Sequence, residues 1–121
     1  MIEKVNLSDK LSQINDHWNP RIAGSVNNFH VKIVKLQGEF VWHHHDEEDE
    51  LFFVVKGRLL IKLRDGDLWL DEGEFAIIPH GVEHCPVAEE EVHLMLFEPA
   101  GTLNTGNVTG DERTVANPEQ I

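Results

Sequence analysis

From Phe29 to Phe97 the chain alternates apolar and polar residues with the period of a strand. Phe29, Val31 and Ile33 alternate with His30 and Lys32, and Leu59, Ile61 and Leu63 alternate with Leu60, Lys62 and Arg64. Residues two apart share one face of a strand, so each run reads as a half-buried strand. Asp65-Gly66 places a tight hairpin ahead of Leu68-Trp69-Leu70. Asp71-Glu72-Gly73 is a further turn, Phe75-Ala76-Ile77-Ile78 reads as a short buried strand, and Pro79-His80-Gly81 ends it. Val92 to Phe97 is the last strong strand. Residues 1–28 read as a lead-in, a short helix or strand, in which Leu7, Leu11 and Ile14 lie at helical spacing behind Ser8 as a cap, with a break at Asn19-Pro20. Residues 100–121 are polar and Gly-rich and read as a tail ordered in part at most, with packing on the barrel or on a partner subunit as the alternative to a free end. The expectation is an all-β antiparallel sandwich or barrel over residues 29–99.

Length and charge narrow the picture. A chain of 121 residues suits one domain with a core of its own. The net charge of -12, from 10 basic and 22 acidic residues, repels phosphate backbones and anionic membranes, so no nucleic-acid or membrane partner is expected. The single cysteine, Cys85, allows no intrachain disulfide and favours a reducing setting. No apolar run reaches the length of a membrane span, and Met1-Ile2-Glu3-Lys4 does not open a signal peptide. A cytoplasmic location is the expectation.

The stretch that carries chemistry is Trp42-His43-His44-His45-Asp46-Glu47-Glu48-Asp49-Glu50. Strand alternation puts His43 and His45 on one face and turns His44 to the other with Trp42. With Asp46 to Asp49 as a solvated turn, Glu50 comes alongside the histidine pair. Two imidazoles and a carboxylate suit a first-row divalent metal, and His84, after the Pro79-His80-Gly81 turn, is the best candidate for a fourth ligand. Val41 and Phe52, two residues from His43 and Glu50, are candidate pocket walls. His93, in the last strand with Met95 and Phe97 on its face, reads either as pocket lining or as a core histidine. Cys85 is expected to face away from the metal, and His80 to be exposed.

Together these residues resemble the two motifs of the cupin superfamily. The first reads here as Gly38, His43, His45, Glu50 and Gly57, with the first gap one residue shorter than usual. The second reads as Gly73, Pro79, Gly81 and His84, with Ala88 where asparagine is common. The match is more specific than a lone His-x-His, and a register using His44 with Asp46 fits it worse. The resemblance implies a double-stranded β-helix, or jelly-roll barrel, with one divalent transition metal (Fe, Mn, Ni or Zn) on His43, His45, Glu50 and His84. It also implies pairing into a homodimer, for which an exposed strand edge in the lead-in would serve. Asp49-Glu50-Leu51-Phe52, the segment from Pro79 to His84 and the segment from Pro99 to Gly106 are similar to phrases of small single-domain bacterial cupins. Such proteins are often labelled mannose-6-phosphate isomerase-like, but phosphate recognition calls for convergent Arg or Lys, and no basic cluster lies near the motifs. The expected partner is a small oxygen-bearing molecule of sugar or organic-acid type. It would be transformed by an isomerase, a lyase or an Fe(II) dioxygenase, or held without catalysis by a sensing or sequestering module. Glu50 is the one candidate for a catalytic base, and a thiol-oxidising cysteine–tyrosine crosslink is excluded because the chain has no tyrosine.

Overall fold

The computed structural model describes residues 1–121. Its one short helix, α1 (Leu7–Leu11), precedes seven strands: β1 (Arg21–Val26), β2 (Phe29–Glu39), β3 (Glu50–Lys56), β4 (Leu59–Leu63), β5 (Gly66–Leu70), β6 (Phe75–Ile78) and β7 (His84–Pro99). All pairings between them are antiparallel. The sheet runs β1-β2-β7-β3-β6, and the β4–β5 hairpin joins through β4 to β7. No helix is long and apolar enough to cross a membrane.

The 16-residue β7 organises this jelly roll. Along one edge it pairs with β2 from Phe29↔Pro99 to Glu39↔Val87. Along the other edge its first half pairs with β4 and its second half with β3. One strand thus belongs to both walls of the barrel. Its even-numbered residues Val92, Leu94, Leu96 and Glu98 are buried, and its odd-numbered His93, Met95 and Phe97 are half-buried on the outer face. The same parity buries Lys32, Val34 and Leu36 of β2. The apolar ones among them, Val34, Leu36, Val92, Leu94 and Leu96, meet Phe52 and Val54 of β3 and Leu59 and Ile61 of β4 in one apolar core. The expected last strand, Val92 to Phe97, is therefore only the second half of a longer one.

Several local expectations need correction. The side chain of Asn6, not Ser8, caps α1 by accepting from the Asp9 N–H at 3.0 Å. The two-residue turn after β4 is Arg64-Asp65, and Gly66 already belongs to β5, opposite Leu63. Strand β6 is not buried. It lies at a sheet edge, and Phe75 and Ile77 are 59% and 56% exposed while Ile78 faces the core. The lead-in is built onto the barrel: β1 pairs with β2, and Leu11 and Ile14 cover Ile33. The free edge expected there is partly taken by the chain's own C-terminus, since Ile22 bonds through its N–H to Glu119 and through its carbonyl to Ile121.

The tail, expected to be ordered at most in part, is folded through specific polar contacts. Asn107 clasps His44 from both sides: its N–H donates to the His44 carbonyl at 3.0 Å, and its Oδ1 accepts from the His44 N–H at 2.8 Å. Asn104 donates to the Arg113 carbonyl and accepts from the Val115 N–H, both at 2.8 Å. Gly106 lets the tail come this close. Its φ is +56°, and a Cβ there would collide with the His44 carbonyl oxygen. Gly110 also has positive φ, +79°, but has open space around it. We therefore predict that Gly110→Ala costs only the left-handed backbone penalty, about 1–2 kcal/mol. Gly106→Ala should cost more and release residues 107–121 to protease. Chemical denaturation with limited proteolysis checks this, and equal effects of the two substitutions would contradict the close approach.

Candidate metal centre

The histidine segment reaches its place through the backbone. His43 and His84 exchange two hydrogen bonds, N–H to carbonyl in both directions, at 3.0 and 2.9 Å. Phe40 N–H to Pro86 carbonyl (3.0 Å) and Gly81 N–H to His45 carbonyl (2.7 Å) continue this antiparallel track. Asp49 closes the acidic turn, its Oδ1 accepting from the His80 N–H at 2.9 Å. Glu50 follows as the first residue of β3, paired with Ile78.

Four side chains converge as a result. His43, His45, Glu50 and His84 each place one potential ligand atom so that all lie within 4.8 Å of one another, and all four residues are buried. Glu50 Oε1 stands 3.4 Å from His45 Nε2 and 3.5 Å from His84 Nε2. Ligands about 2.1 Å from a shared centre stand roughly 3.0–4.2 Å apart. These two contacts lack the alignment of hydrogen bonds, and Glu50 Oε1, His45 Nε2 and His84 Nε2 have no hydrogen-bond partner. Buried polar atoms are rarely left so; three of them facing one point are what a cation would satisfy.

The outer nitrogens show how the rings are held. His43 Nδ1 lies 2.9 Å from the Val41 carbonyl and His84 Nδ1 2.9 Å from the Val82 carbonyl. A carbonyl can only accept, so each Nδ1 carries the proton and each Nε2 offers its lone pair inward. His45 Nδ1 has no such partner, and its nearest carboxylate, Glu48, is 4.0 Å away. His45 also borders a cleft of about 280 Å³ formed with Asp46, Glu47 and Glu48 and with the tail at Gly106 and Asn107. His44 points elsewhere, its Nε2 2.9 Å from Asp46. His80 is exposed and pairs with Asp49, and Cys85 is buried, its Sγ 3.6 Å from the Phe40 carbonyl.

The alternation rule missed the pair Lys32 and Glu98. Lys32 Nζ donates to Glu98 Oε2 at 2.9 Å and to the Thr102 carbonyl at 3.2 Å, with both side chains buried. Glu98 adjoins Glu50: burial first, and then the Glu50 charge, hold the Glu98 carboxyl well above its usual range. Burial also pushes Glu50 up, but the facing His45 and His84 outweigh it and hold Glu50 below the usual carboxylate range. Lys32 is thus paired with Glu98 alone, and Glu50 has no lysine or arginine partner of its own, which leaves room for a positive charge beside it. A signal for this was present, since Lys32 has the parity of Val34 and Leu36, and Glu98 that of Leu94 and Leu96.

Beside the cluster lies a cavity of about 40 Å³, bordered by His43, Glu50 and Phe52. Val41 and His93 do not line it. Residues 40–42 lie outside the strands, so strand parity does not apply there: Phe40 takes the lining place and Val41 contributes its carbonyl to His43. His93 is on the outer face of β7 and pairs with Glu91 at 3.1 Å, while Leu94 and Leu96 face the cavity. Trp18, Pro20 and Asn104 complete the wall from lead-in and tail, which no strand pattern could have indicated.

Burial lowers the pKa of His43 from 6.5 to about 4, with the neighbouring His84 adding to the effect. The unfolded chain therefore binds a proton near pH 6.5 that the folded chain refuses, so metal-free stability falls as pH drops from 6.5 towards 4. The shift is worth on the order of 3 kcal/mol across that window. Glu98, raised, contributes a slope of opposite sign, so the comparison of wild type with His43→Gln isolates the histidine. Thermal melts of metal-free protein between pH 7 and 4.5 should show a shallower decline for His43→Gln; identical slopes would count against a neutral buried His43.

The comparisons with known proteins agree with this architecture. The chain resembles a cupin-2 domain protein of Shewanella frigidimarina NCIMB 400, with 47% identity and a TM-score of 0.78 over 78% of this chain and 93% of that one. It resembles NMB1881 of Neisseria meningitidis, with 34% identity and a TM-score of 0.75 over 81% of this chain and all of the other (100%). It is 31% identical over 84 residues to YdbB, an uncharacterized protein of Bacillus subtilis (strain 168), a stretch covering 69% of this chain and 64% of YdbB. The family model described as Cupin domain matches residues 30–98. With its jelly-roll topology and that match over more than half its length, the chain belongs to the cupin family.

Proposed function

We propose that this cupin binds one divalent transition metal, of the Fe, Mn, Ni or Zn group, through His43, His45, Glu50 and His84. On the open side of that centre it binds or transforms a small oxygen-bearing organic molecule. The observation that carries the reading is the set of three partnerless buried atoms, Glu50 Oε1, His45 Nε2 and His84 Nε2, facing one point. The donor set suits such ions, and four protein ligands leave two positions on an octahedral one. When bound, the metal supplies Lewis acidity to an oxygen of the ligand. The chain's part is to present the lone pairs, keep Glu50 ionised and exclude bulk water.

A reading without catalysis, as a sensing or sequestering module, has one observation in its favour. Apart from His43 and Glu50, the side chains with polar atoms that border the cavity are Trp18 and Asn104, and neither is a general acid or base. Any proton transfer would fall to Glu50, itself a proposed ligand. An Fe(II) dioxygenase, which needs no separate base to bind oxygen, fits the same residues.

Metal titration of protein without a histidine tag tests the centre. Wild type is expected to bind one equivalent of Co(II) or Zn(II). His43→Ala with His45→Ala should lose at least a hundredfold in affinity, whereas His44→Ala should stay within about threefold. A wild type that takes up no metal, or a His44→Ala variant as defective as the double substitution, would refute the ligand assignment.

A further inference from the structure

Resting on that metal-centre reading, we propose that the ligand of this cavity is a small carboxylate or dicarbonyl with a hydrocarbon body: an oxygen head for the metal, and no hydroxyl groups beyond it. A ligand in this cavity would meet few polar groups. Apart from the metal cluster, the walls are made by side chains such as Val34, Leu36, Phe40, Phe52, Leu94 and Leu96. Two further lining residues carry polar atoms, and both are hydrogen-bonded within the fold. Asn104 donates one amide N–H to the Arg113 carbonyl and accepts the Val115 N–H on its oxygen, which leaves its second amide N–H as the one donor not used there. Trp18 uses its Nε1–H on the Gln37 carbonyl at 2.8 Å while its ring stacks on Phe40, 4.5 Å between centroids.

No Lys or Arg borders the cavity. The nearby Lys32 is spent on Glu98 and Thr102. A phosphate or a second carboxylate would thus enter without a counter-charge, and each sugar hydroxyl would give up its water for an apolar wall. A hydrocarbon body loses nothing there and gains from leaving water. Size points the same way. A water needs on the order of 10–15 Å³ of such space, so about 40 Å³ accommodates the metal-bound head and a few carbon atoms. The larger acidic cleft beside His45 shares no lining residue with this cavity.

The test uses metal-loaded wild-type protein, with Co(II) as the probe ion and its visible spectrum and calorimetry as readouts. The first series is acetate, propionate and butyrate. Affinity should rise about three- to fourfold with each methylene added, the equivalent of roughly 0.8 kcal/mol per buried group. The second series pairs propionate with 3-hydroxypropionate and butyrate with 4-hydroxybutyrate, which keep the carboxylate and add one hydroxyl at the far end of the chain rather than beside the carboxylate, where it would chelate the metal. Each hydroxyl should weaken binding about tenfold. Hydroxylated acids that bind as tightly as their hydrocarbon counterparts, or tighter, overturn the proposal. Loaded protein that binds neither series overturns it too, while leaving the metal centre standing. Failure to take up Co(II) at all overturns both.

Discussion

The reciprocal backbone pair between His43 and His84 is the contact on which the rest of this site depends. It locks two segments forty-one positions apart into one antiparallel track. Imidazoles are short, and their Nε2 atoms reach a common point only if the backbones that carry them are held a strand's width apart. That track sets the spacing, the Val41 and Val82 carbonyls set the ring orientation, and the acidic turn brings Glu50 in from the third side. Gly106 belongs to the same device: its missing side chain lets the tail close over His44, so the C-terminal segment becomes part of the wall rather than an appendage.

Around that point the barrel separates two kinds of interior. One is hydrocarbon, built from inward positions of β2, β3, β4 and β7. The other is a buried polar group of three imidazoles, two carboxyl groups and one ammonium. Burying so many ionisable groups is unfavourable unless they neutralise one another. Here the compensation is incomplete among the side chains alone: Glu98 is held above its usual range, His43 below its own, and five of their nitrogen and oxygen atoms lack a partner. The polar group is organised for a cation, whereas the cavity beside it offers few polar groups to the remainder of a ligand. That contrast shapes the functional reading.

Much of the core of the site was legible because its signals are local. His43 and His45 share a parity with His44 between them, and Glu50 opens a strand whose alternation is plain. The second motif marks its own turn with Pro79 and Gly81. The buried placement of Lys32 and Glu98 was missed, because Lys32 alternates with Val31 and Ile33 and so reads as the wet face, although it has the parity of Val34 and Leu36. Parity failed at Val41, because residues 40–42 are held by cross-strand backbone bonds outside any regular strand. It also led to His93 being counted as a pocket candidate, although that residue has the outward parity of Met95 and Phe97.

By itself, then, the amino-acid order determined the fold class, the strand-forming runs and the residue types offered to a metal, since side-chain period and turn chemistry act within a few residues. Only tertiary structure decided which atoms lack partners, that Lys32 and Glu98 stand behind Glu50, and that Trp18 and Asn104 close the cavity from opposite ends of the chain. It also decided that the tail is folded and that β6 shows Phe75 and Ile77 to solvent. Those outcomes depend on distances between segments remote in sequence and on competition for buried hydrogen bonds, neither of which is encoded in any one stretch of residues.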